Sequence, residues 1–165
     1  MTTEIRNATE DDAAAMLAIY APVVRDTAIS FEFEPPSAGE FRGRVATILA
    51  THPCLVAVER GTVVGYAYAS TWRARPAYAR TAETTVYVAA DARGRGVGWA
   101  LMTELLARLR AGGFHRAVAG ITLPNAASVA LHEGLGFREV GVYRECGREF
   151  DRWHDVGFWD LALDA

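Results

Sequence analysis

The chain has 165 residues, of which 51% are hydrophobic and 22% are charged, and its formal net charge at pH 7 is -3. This length and composition predict one domain, residues 1–165, that buries a hydrophobic core. Since the charge is balanced and forms no basic tail or block, we expect neither nucleic acid nor an anionic membrane as a partner. The N-terminal residues M-T-T-E-I-R-N-A-T-E lack an apolar signal region, and no apolar run approaches the ~20 residues that span a bilayer, so we expect a soluble cytoplasmic protein.

Hydrophobic periodicity and turn residues predict seven strands and four helices. The predicted strands are Glu4 to Asn7, Cys54 to Glu59, Val63 to Ser70, Ala82 to Val88, Arg116 to Thr122, Phe137 to Tyr143 and Trp153 to Leu163. The predicted helices are Glu10 to Arg25, Ser37 to Ala50, a helix between Gly98 and Gly112, and Ala126 to Leu135. This order predicts an α/β (α+β) fold whose mixed, mainly antiparallel sheet has helices on both faces.

Some kinds of chemistry are excluded by the residue types. All 17 basic residues are arginine, and without lysine the chain cannot be a Schiff-base enzyme. Cys54 and Cys146 do not have the spacing of metal ligands, and neither do the histidines, so we expect no metal site.

The segment from Val86 to Gly98, V-Y-V-A-A-D-A-R-G-R-G-V-G, is predicted to lead from a strand through a loop into a helix. Its alternate glycines let backbone amides approach phosphate oxygens at the positive end of the helix. Arg93 and Arg95 add full charges. The segment therefore predicts a site for a phosphate-containing ligand, and the alternative is an ordinary glycine-rich turn.

Two familiar phosphate-binding motifs do not fit this loop. A P-loop requires a lysine, which the chain lacks. The dinucleotide fingerprint G-x-G-x-x-G does not match either, because Gly94 and Gly96 are followed by Gly98 and Trp99.

The pattern R-G-R-G-V-G instead resembles the R/Q-x-x-G-x-G/A loop with which N-acetyltransferases of the GNAT superfamily hold the pyrophosphate of acetyl-CoA. The segment N-A-A-S-V-A-L-H-E-G-L-G-F, from Asn125 to Phe137, is similar to a second GNAT segment. The segments Trp72 to Val88 and Trp153 to Trp159 resemble the phosphinothricin and methionine sulfoximine N-acetyltransferase subfamily. The resemblance implies a GNAT fold and an acetyl-CoA-dependent N-acetyltransferase.

The expected reaction transfers acetyl from acetyl-CoA to the primary amine of a small amino-acid-like acceptor, such as phosphinothricin, methionine sulfoximine or methionine sulfone. The amine attacks directly within a ternary complex. By resemblance, the residues that bind acetyl-CoA are Val86, Tyr87, Val88, Arg93, Gly94, Arg95, Gly96, Val97, Gly98, Asn125 and Ser128. Asn125 is equally suited to be a helix N-cap.

The reaction needs a base, because an ammonium must lose a proton before its nitrogen attacks the thioester. Glu83 matches the base proposed for the subfamily, and strand alternation places it opposite Ala82 and Thr84. The alternative is a solvated carboxylate. The family also implies that the backbone N–H of Val88 stabilises the tetrahedral oxyanion. His132 stands where many GNAT enzymes have a tyrosine, so it is either a general acid or a packed helix residue.

Arginines are expected to bind the acceptor, because guanidinium groups suit carboxylate and phosphinate oxygens. By resemblance, Arg73, Arg75 and Glu83 are expected to bind the acceptor. The aromatic residues Phe31, Phe33 and Tyr78 are expected to form an apolar wall of the same site. The alternative for each arginine is a surface salt bridge. Glu32 departs from the family, since some phosphinothricin enzymes have a basic residue there.

The tail W-H-D-V-G-F-W is expected in the sheet, and the resemblance implies a homodimer interface there. Two other functions stay open: a GNAT enzyme that acts on an aminoglycoside or a protein N-terminus, and a non-catalytic acyl-CoA-binding sensor. The arginines at 73 and 75 favour an anionic acceptor, and a sensor would not need Glu83.

Overall fold

A computed structural model describes residues 2–163, and it contains the seven strands and four helices in the predicted order. The strands are β1 (Glu4–Asn7), β2 (Cys54–Glu59), β3 (Thr62–Thr71), β4 (Thr81–Val88), β5 (Arg116–Leu123), β6 (Arg138–Glu149) and β7 (Arg152–Ala162). The helices are α1 (Ala13–Asp26), α2 (Ala38–Leu49), α3 (Val97–Ala111) and α4 (Ala126–Gly134). The domain predicted from the sequence also includes residues 1, 164 and 165, which lie outside the described residues. Between residues 2 and 163, no helix combines the length and hydropathy needed to cross a membrane.

The strands form one sheet in the order β1-β2-β3-β4-β5-β7-β6. Neighbouring strands are antiparallel except for β4 and β5, which are parallel, so the predicted mixed sheet is confirmed. The parallel pairing joins only Thr81, Ala82 and Glu83 to the start of β5 and then ends, although both strands continue. A gap therefore opens in the middle of the sheet, directly after Glu83.

The two faces of the sheet are covered by different helices. The apolar stripe of α3 is fully buried against one face, where truncating a single leucine to alanine is expected to cost ~2–5 kcal/mol. Helices α1 and α2 cover the opposite face over β2 and β3, where Met16, Phe41 and Tyr66 are buried. Strand β4 therefore lies between α3 on one face and the α1 and α2 pair on the other.

On the α1 and α2 side, the half of the sheet formed by β5, β7 and β6 has an open apolar groove of about 510 Å³. Val118 and Phe158 line it, together with Trp72 and Tyr78. At its edge, the side chain of Tyr143 is 63% exposed. Among residues 2–163, none of the helices α1 to α4 contributes to the lining of this groove.

The structure differs from the predicted boundaries mainly at β6, which was predicted to end at Tyr143 and instead reaches Glu149. The register shifts between Tyr143 and Gly147, which interrupts the alternation by which a strand is recognised. The turn to β7 consists of Phe150 and Asp151, both with positive φ (48° and 56°), and it lacks the glycine that usually indicates such a turn.

Candidate active site

The loop between β4 and α3 adopts the backbone conformation that its glycines allow. Gly94 and Gly96 have φ values of 71° and 83°, and Gly96 is the N-cap of α3. Residues with a Cβ avoid this left-handed region, so the loop depends on glycine at both positions. The loop and the N-terminal residues of α3 line an open groove of about 570 Å³ between α3 and α4.

Nearly all of the residues predicted to bind acetyl-CoA line this groove. They are Val86, Tyr87, Val88, Arg93, Gly94, Gly96, Val97, Gly98, Asn125 and Ser128. Arg95 is the predicted residue that does not. Its guanidinium lies 3.0 Å from Oε2 of Glu59, whose side chain is only 7% exposed and also accepts a hydrogen bond from Thr3 at 2.8 Å. The structure thus connects Arg95 to β2.

Sequence reasoning missed part of the groove wall. Trp99 and Leu131 also line it, and the ring of Trp99 lies so close to Gly134 that a Cβ there would be 2.9 Å away. Trp99 is 47% exposed although it is aromatic. The available signal in the sequence was a tryptophan directly after Gly98, next to the glycine loop.

A second cavity, of about 290 Å³, occupies the gap between β4 and β5. Its walls include Glu83, Gly120 and His132, and residues 29–31 form part of its lining. Val86, Tyr87, Asn125, Ser128 and Ile29 line both this cavity and the groove. The central cavity and the groove therefore adjoin, and Glu83 lies at the end of the cavity that is far from the glycine loop.

Glu83 faces Gly120 of β5. A Cβ added at Gly120 would lie 3.6 Å from Oε1 of Glu83 and 3.2 Å from the ring of Phe158, so the glycine leaves room beside the carboxylate. Burial raises the pKa of Glu83, and the positive charge of Arg73 opposes part of that rise. A carboxylate with a raised pKa in a cavity is suited to accept a proton.

The backbone of β4 has amides that face the gap. The N–H of Ala89 donates to the carbonyl of Val64 on β3 at 2.9 Å. Since successive residues of a strand point their N–H groups to opposite sides, the amides of Val86 and Val88 point away from β3. They face the side on which the pairing with β5 has ended.

His132 is a packed residue in this structure. It is 4% exposed, and its ring makes an edge-on contact with Phe137 at a centroid distance of 5.1 Å. Its Nδ1 lies 2.7 Å from the carbonyl oxygen of Ser128, so Nδ1 carries the proton and Nε2 of the neutral ring is an acceptor. Burial lowers the pKa of His132, which favours this neutral form.

The predicted acceptor residues do not lie together in one pocket. Phe31 lines the central cavity beside Glu83. Arg73 and Tyr78 line the apolar groove, and Arg75 lines a cleft next to it. Phe33 is 79% exposed on the surface. Sequence reasoning did not assign Trp72 to the site, although the guanidinium of Arg73 stacks on its ring at 4.7 Å and Tyr78 contacts its edge at 5.2 Å.

A profile of the acetyltransferase (GNAT) family matches residues 18–137. The chain belongs to the GNAT family of acetyltransferases. The family membership and the enzyme class predicted from the sequence are thereby confirmed.

Two curated relatives resemble this GNAT acetyltransferase along nearly its whole length. The phosphinothricin N-acetyltransferase of Streptomyces coelicolor is 42% identical in an alignment of 173 positions, gaps included, that covers 97% of this chain and 96% of the relative. The L-methionine sulfoximine/L-methionine sulfone acetyltransferase of Pseudomonas aeruginosa is 38% identical in an alignment of 166 positions that covers 99% of this chain and 96% of the relative.

A solved structure has the same fold as this GNAT chain. It is a GNAT superfamily phosphinothricin acetyltransferase from Sinorhizobium meliloti in complex with acetyl-CoA. Its TM-score is 0.96 at 38% sequence identity, and the match covers 99% of this chain and 89% of that chain.

Proposed function

We propose that this enzyme transfers the acetyl group of acetyl-CoA to the primary amine of a small amino-acid-like acceptor of the phosphinothricin, methionine sulfoximine or methionine sulfone type. The observation that carries the proposal is the gap between β4 and β5, which connects the groove behind the glycine loop to the carboxylate of Glu83. A thioester and an amine can meet there in one ternary complex. The named activities of the two relatives support the same acceptor class.

The groove suits the pyrophosphate of acetyl-CoA. The left-handed glycines and the N-terminus of α3 provide amides and partial positive charge, and Arg93 adds a guanidinium. Arg95 acts through its ion pair with Glu59, which connects the loop to β2. Asn125 caps α4 by accepting a hydrogen bond from the amide of Ser128 at 3.1 Å, so both residues shape the groove where the pantetheine arm would lie.

In the reaction, Glu83 takes a proton from the ammonium of the acceptor. The free nitrogen attacks the thioester carbon, the N–C bond forms, and the oxyanion is stabilised by the amide of Val88. The attacking nitrogen still carries one proton too many for an amide and releases it to solvent, the C–S bond breaks, and the electron pair of that bond leaves with the sulfur of CoA. A thiol pKa of roughly 8.5 lets the thiolate leave and take a proton from solvent. His132 supports the cavity wall by packing, because a general-acid role would require the protonated ring that burial opposes.

The acceptor is bound by charge and by aromatic contact. Arg73 and Arg75 provide guanidinium groups for its anionic groups, while Phe31 and Tyr78 provide apolar walls. A polycationic acceptor such as an aminoglycoside would be repelled by the two arginines.

The same proposal includes a homodimer in the cytoplasm, without nucleic acid or membrane as a partner. The uncovered groove of β5, β7 and β6 contains Val118, Tyr143 and Phe158, and an apolar face of this kind suits contact with a second copy. The net charge of -3 supports the absence of nucleic acid.

A thiol-release assay tests the proposal. Acetyl-CoA is offered with methionine sulfoximine, phosphinothricin, methionine sulfone, common amino acids, an aminoglycoside and a short peptide with a free N-terminus. We expect turnover of the sulfoximine, the sulfone or phosphinothricin, and a raised acceptor KM for Arg75→Ala. Turnover of the aminoglycoside or the peptide alone would overturn the acceptor class. Binding of acetyl-CoA without turnover of any amine would favour the acyl-CoA sensor.

A further inference from the structure

The loop between α1 and α2 forms one wall of the central cavity through Ile29, Ser30 and Phe31. Phe31 has a φ of 59°, a left-handed conformation that is unfavourable for an aromatic residue and that needs support from its surroundings. Its ring also lies against Gly147 of β6 so closely that a Cβ at that position would overlap it. The loop thus has a defined position over the cavity.

The contacts that hold the loop converge on the next residue, Glu32. Its carboxylate accepts two hydrogen bonds from the guanidinium of Arg44 on α2, at 3.0 and 2.7 Å. It also accepts a hydrogen bond from the phenol of Tyr20 on α1. The backbone N–H of Glu32 donates to the hydroxyl of Ser30 at 3.2 Å. Both helices that cover this face of the sheet are therefore connected to the loop through one side chain.

The connection continues to β4, the strand that contains Glu83. Tyr20 is 7% exposed, and its ring lies 5.2 Å from the ring of Tyr87. Tyr87 is on β4, four residues after Glu83, and lines both the central cavity and the groove beside the glycine loop. Because Glu32 and Phe31 are adjacent in the chain, the carboxylate that bonds to the helices determines where the phenyl ring stands. The side chain of Glu32 itself is absent from the cavity lining among the described residues.

We propose that Glu32 is a positioning residue for the acceptor: its bonds to Arg44 and Tyr20 hold Phe31 in place as the wall of the cavity in which the amine meets the thioester. This inference rests on the proposed function. It also gives the acidic residue at this position a role that does not involve contact with the acceptor. The Phe31 wall limits the size of the side chain that an acceptor can bring to Glu83.

Steady-state kinetics with the preferred acceptor test the proposal. The variants are Glu32→Gln, Arg44→Gln, the double variant, and Glu34→Gln as a matched control, since Glu34 is an exposed carboxylate in the same loop. Loss of a charged hydrogen bond predicts a rise of about tenfold in acceptor KM for Glu32→Gln and for Arg44→Gln. The acetyl-CoA KM is expected to stay within about twofold of wild type, and Glu34→Gln to behave as wild type.

A shared role predicts that the double variant is no worse than either single variant, whereas independent roles would multiply the two effects. A loss that raises both KM values together, along with a lowered melting temperature, would show a structural effect only and would overturn the proposal. Equal kinetics for Glu32→Gln and Glu34→Gln would overturn it as well.

Hydrogen exchange of residues 29–33 separates this inference from the proposed function, because it needs no turnover. Glu32→Gln is expected to speed exchange there by about tenfold relative to Glu34→Gln. If wild type acetylates none of the amines, the proposed function fails and the exchange result alone decides whether Glu32 positions the loop. Unchanged exchange in Glu32→Gln would overturn the positioning role.

Discussion

Replacing Glu83 by glutamine removes the proposed base while keeping the size of the side chain. The space beside the carboxylate is left open by Gly120, so the amide fits without a clash. The remaining change is the loss of a proton acceptor. General base catalysis contributes typically about 10²–10⁴-fold, which corresponds to about 2.7–5.4 kcal/mol of barrier.

The surroundings of Glu83 favour the upper part of that range. Burial raises the pKa of the carboxylate, which makes it a stronger base than an exposed glutamate. We expect kcat/KM for the acceptor to fall by about 10³-fold or more in Glu83→Gln. In wild type, kcat/KM should fall at acidic pH as Glu83 becomes protonated, with a midpoint above the usual range for glutamate. Since the charge of Arg73 lowers the pKa of Glu83, Arg73→Gln should move that midpoint to higher pH.

The assay is thiol release at saturating acetyl-CoA, with acceptor concentration varied between about pH 5 and pH 9. Glu139→Gln is the matched control, because Glu139 is an exposed carboxylate on β6. Turnover of Glu83→Gln within about threefold of wild type across this range would refute the assignment of the base. The proposed binding of acetyl-CoA at the glycine loop and groove would then remain, and only the proton transfer to Glu83 would be refuted.

Three further outcomes are expected. Glu59→Gln should raise the KM for acetyl-CoA about tenfold, because Arg95 loses a buried, charged partner, and should leave the acceptor KM unchanged. Equal rises in the two KM values would contradict this expectation. Asp12→Ala should lower the free energy of unfolding by about 2–4 kcal/mol and the melting temperature by about 4–16 °C, since Asp12 caps the first helical turn and binds Arg6 through two hydrogen bonds of 2.8 Å. Its exposed neighbour is the control, with an expected cost of less than about 0.5 kcal/mol for Asp11→Ala in the same thermal melt. Burial lowers the pKa of His132, so its contribution to stability is present above the unfolded pKa of about 6.5 and is lost as pH falls; urea unfolding at about pH 7.5 and 5.5 should show a smaller pH dependence for His132→Phe than for wild type.

Local patterns carried most of the information that could be obtained from the sequence. The apolar stripe of α3 repeats with the helical period, and the structure buries it completely. Gly94 and Gly96 indicated a loop whose backbone can approach a ligand closely, and both residues have positive φ in the structure. Strand alternation placed Glu83 opposite Ala82, and the structure agrees because the pleat depends only on the strand itself.

Contacts between distant segments could not be predicted in the same way. Arg95 is a basic residue in the glycine loop, which suggests a phosphate ligand, but in the structure its guanidinium pairs with Glu59. Glu32 stands where some phosphinothricin enzymes have a basic residue, and in the structure its carboxylate faces Tyr20 and Arg44. Neither side chain shows its direction in the sequence, because the direction depends on which helix or strand packs beside it.

By itself, the sequence determined the number and order of the elements, the glycine loop and the candidate base, since each depends on residues close together in the chain. Only the tertiary structure decided that β7 lies between β5 and β6 and that β4 and β5 stop pairing after Glu83. Strand pairing is chosen by long-range packing of helices and strands, and periodicity within one segment contains no information about it. The gap that joins the groove to Glu83 is a product of that packing.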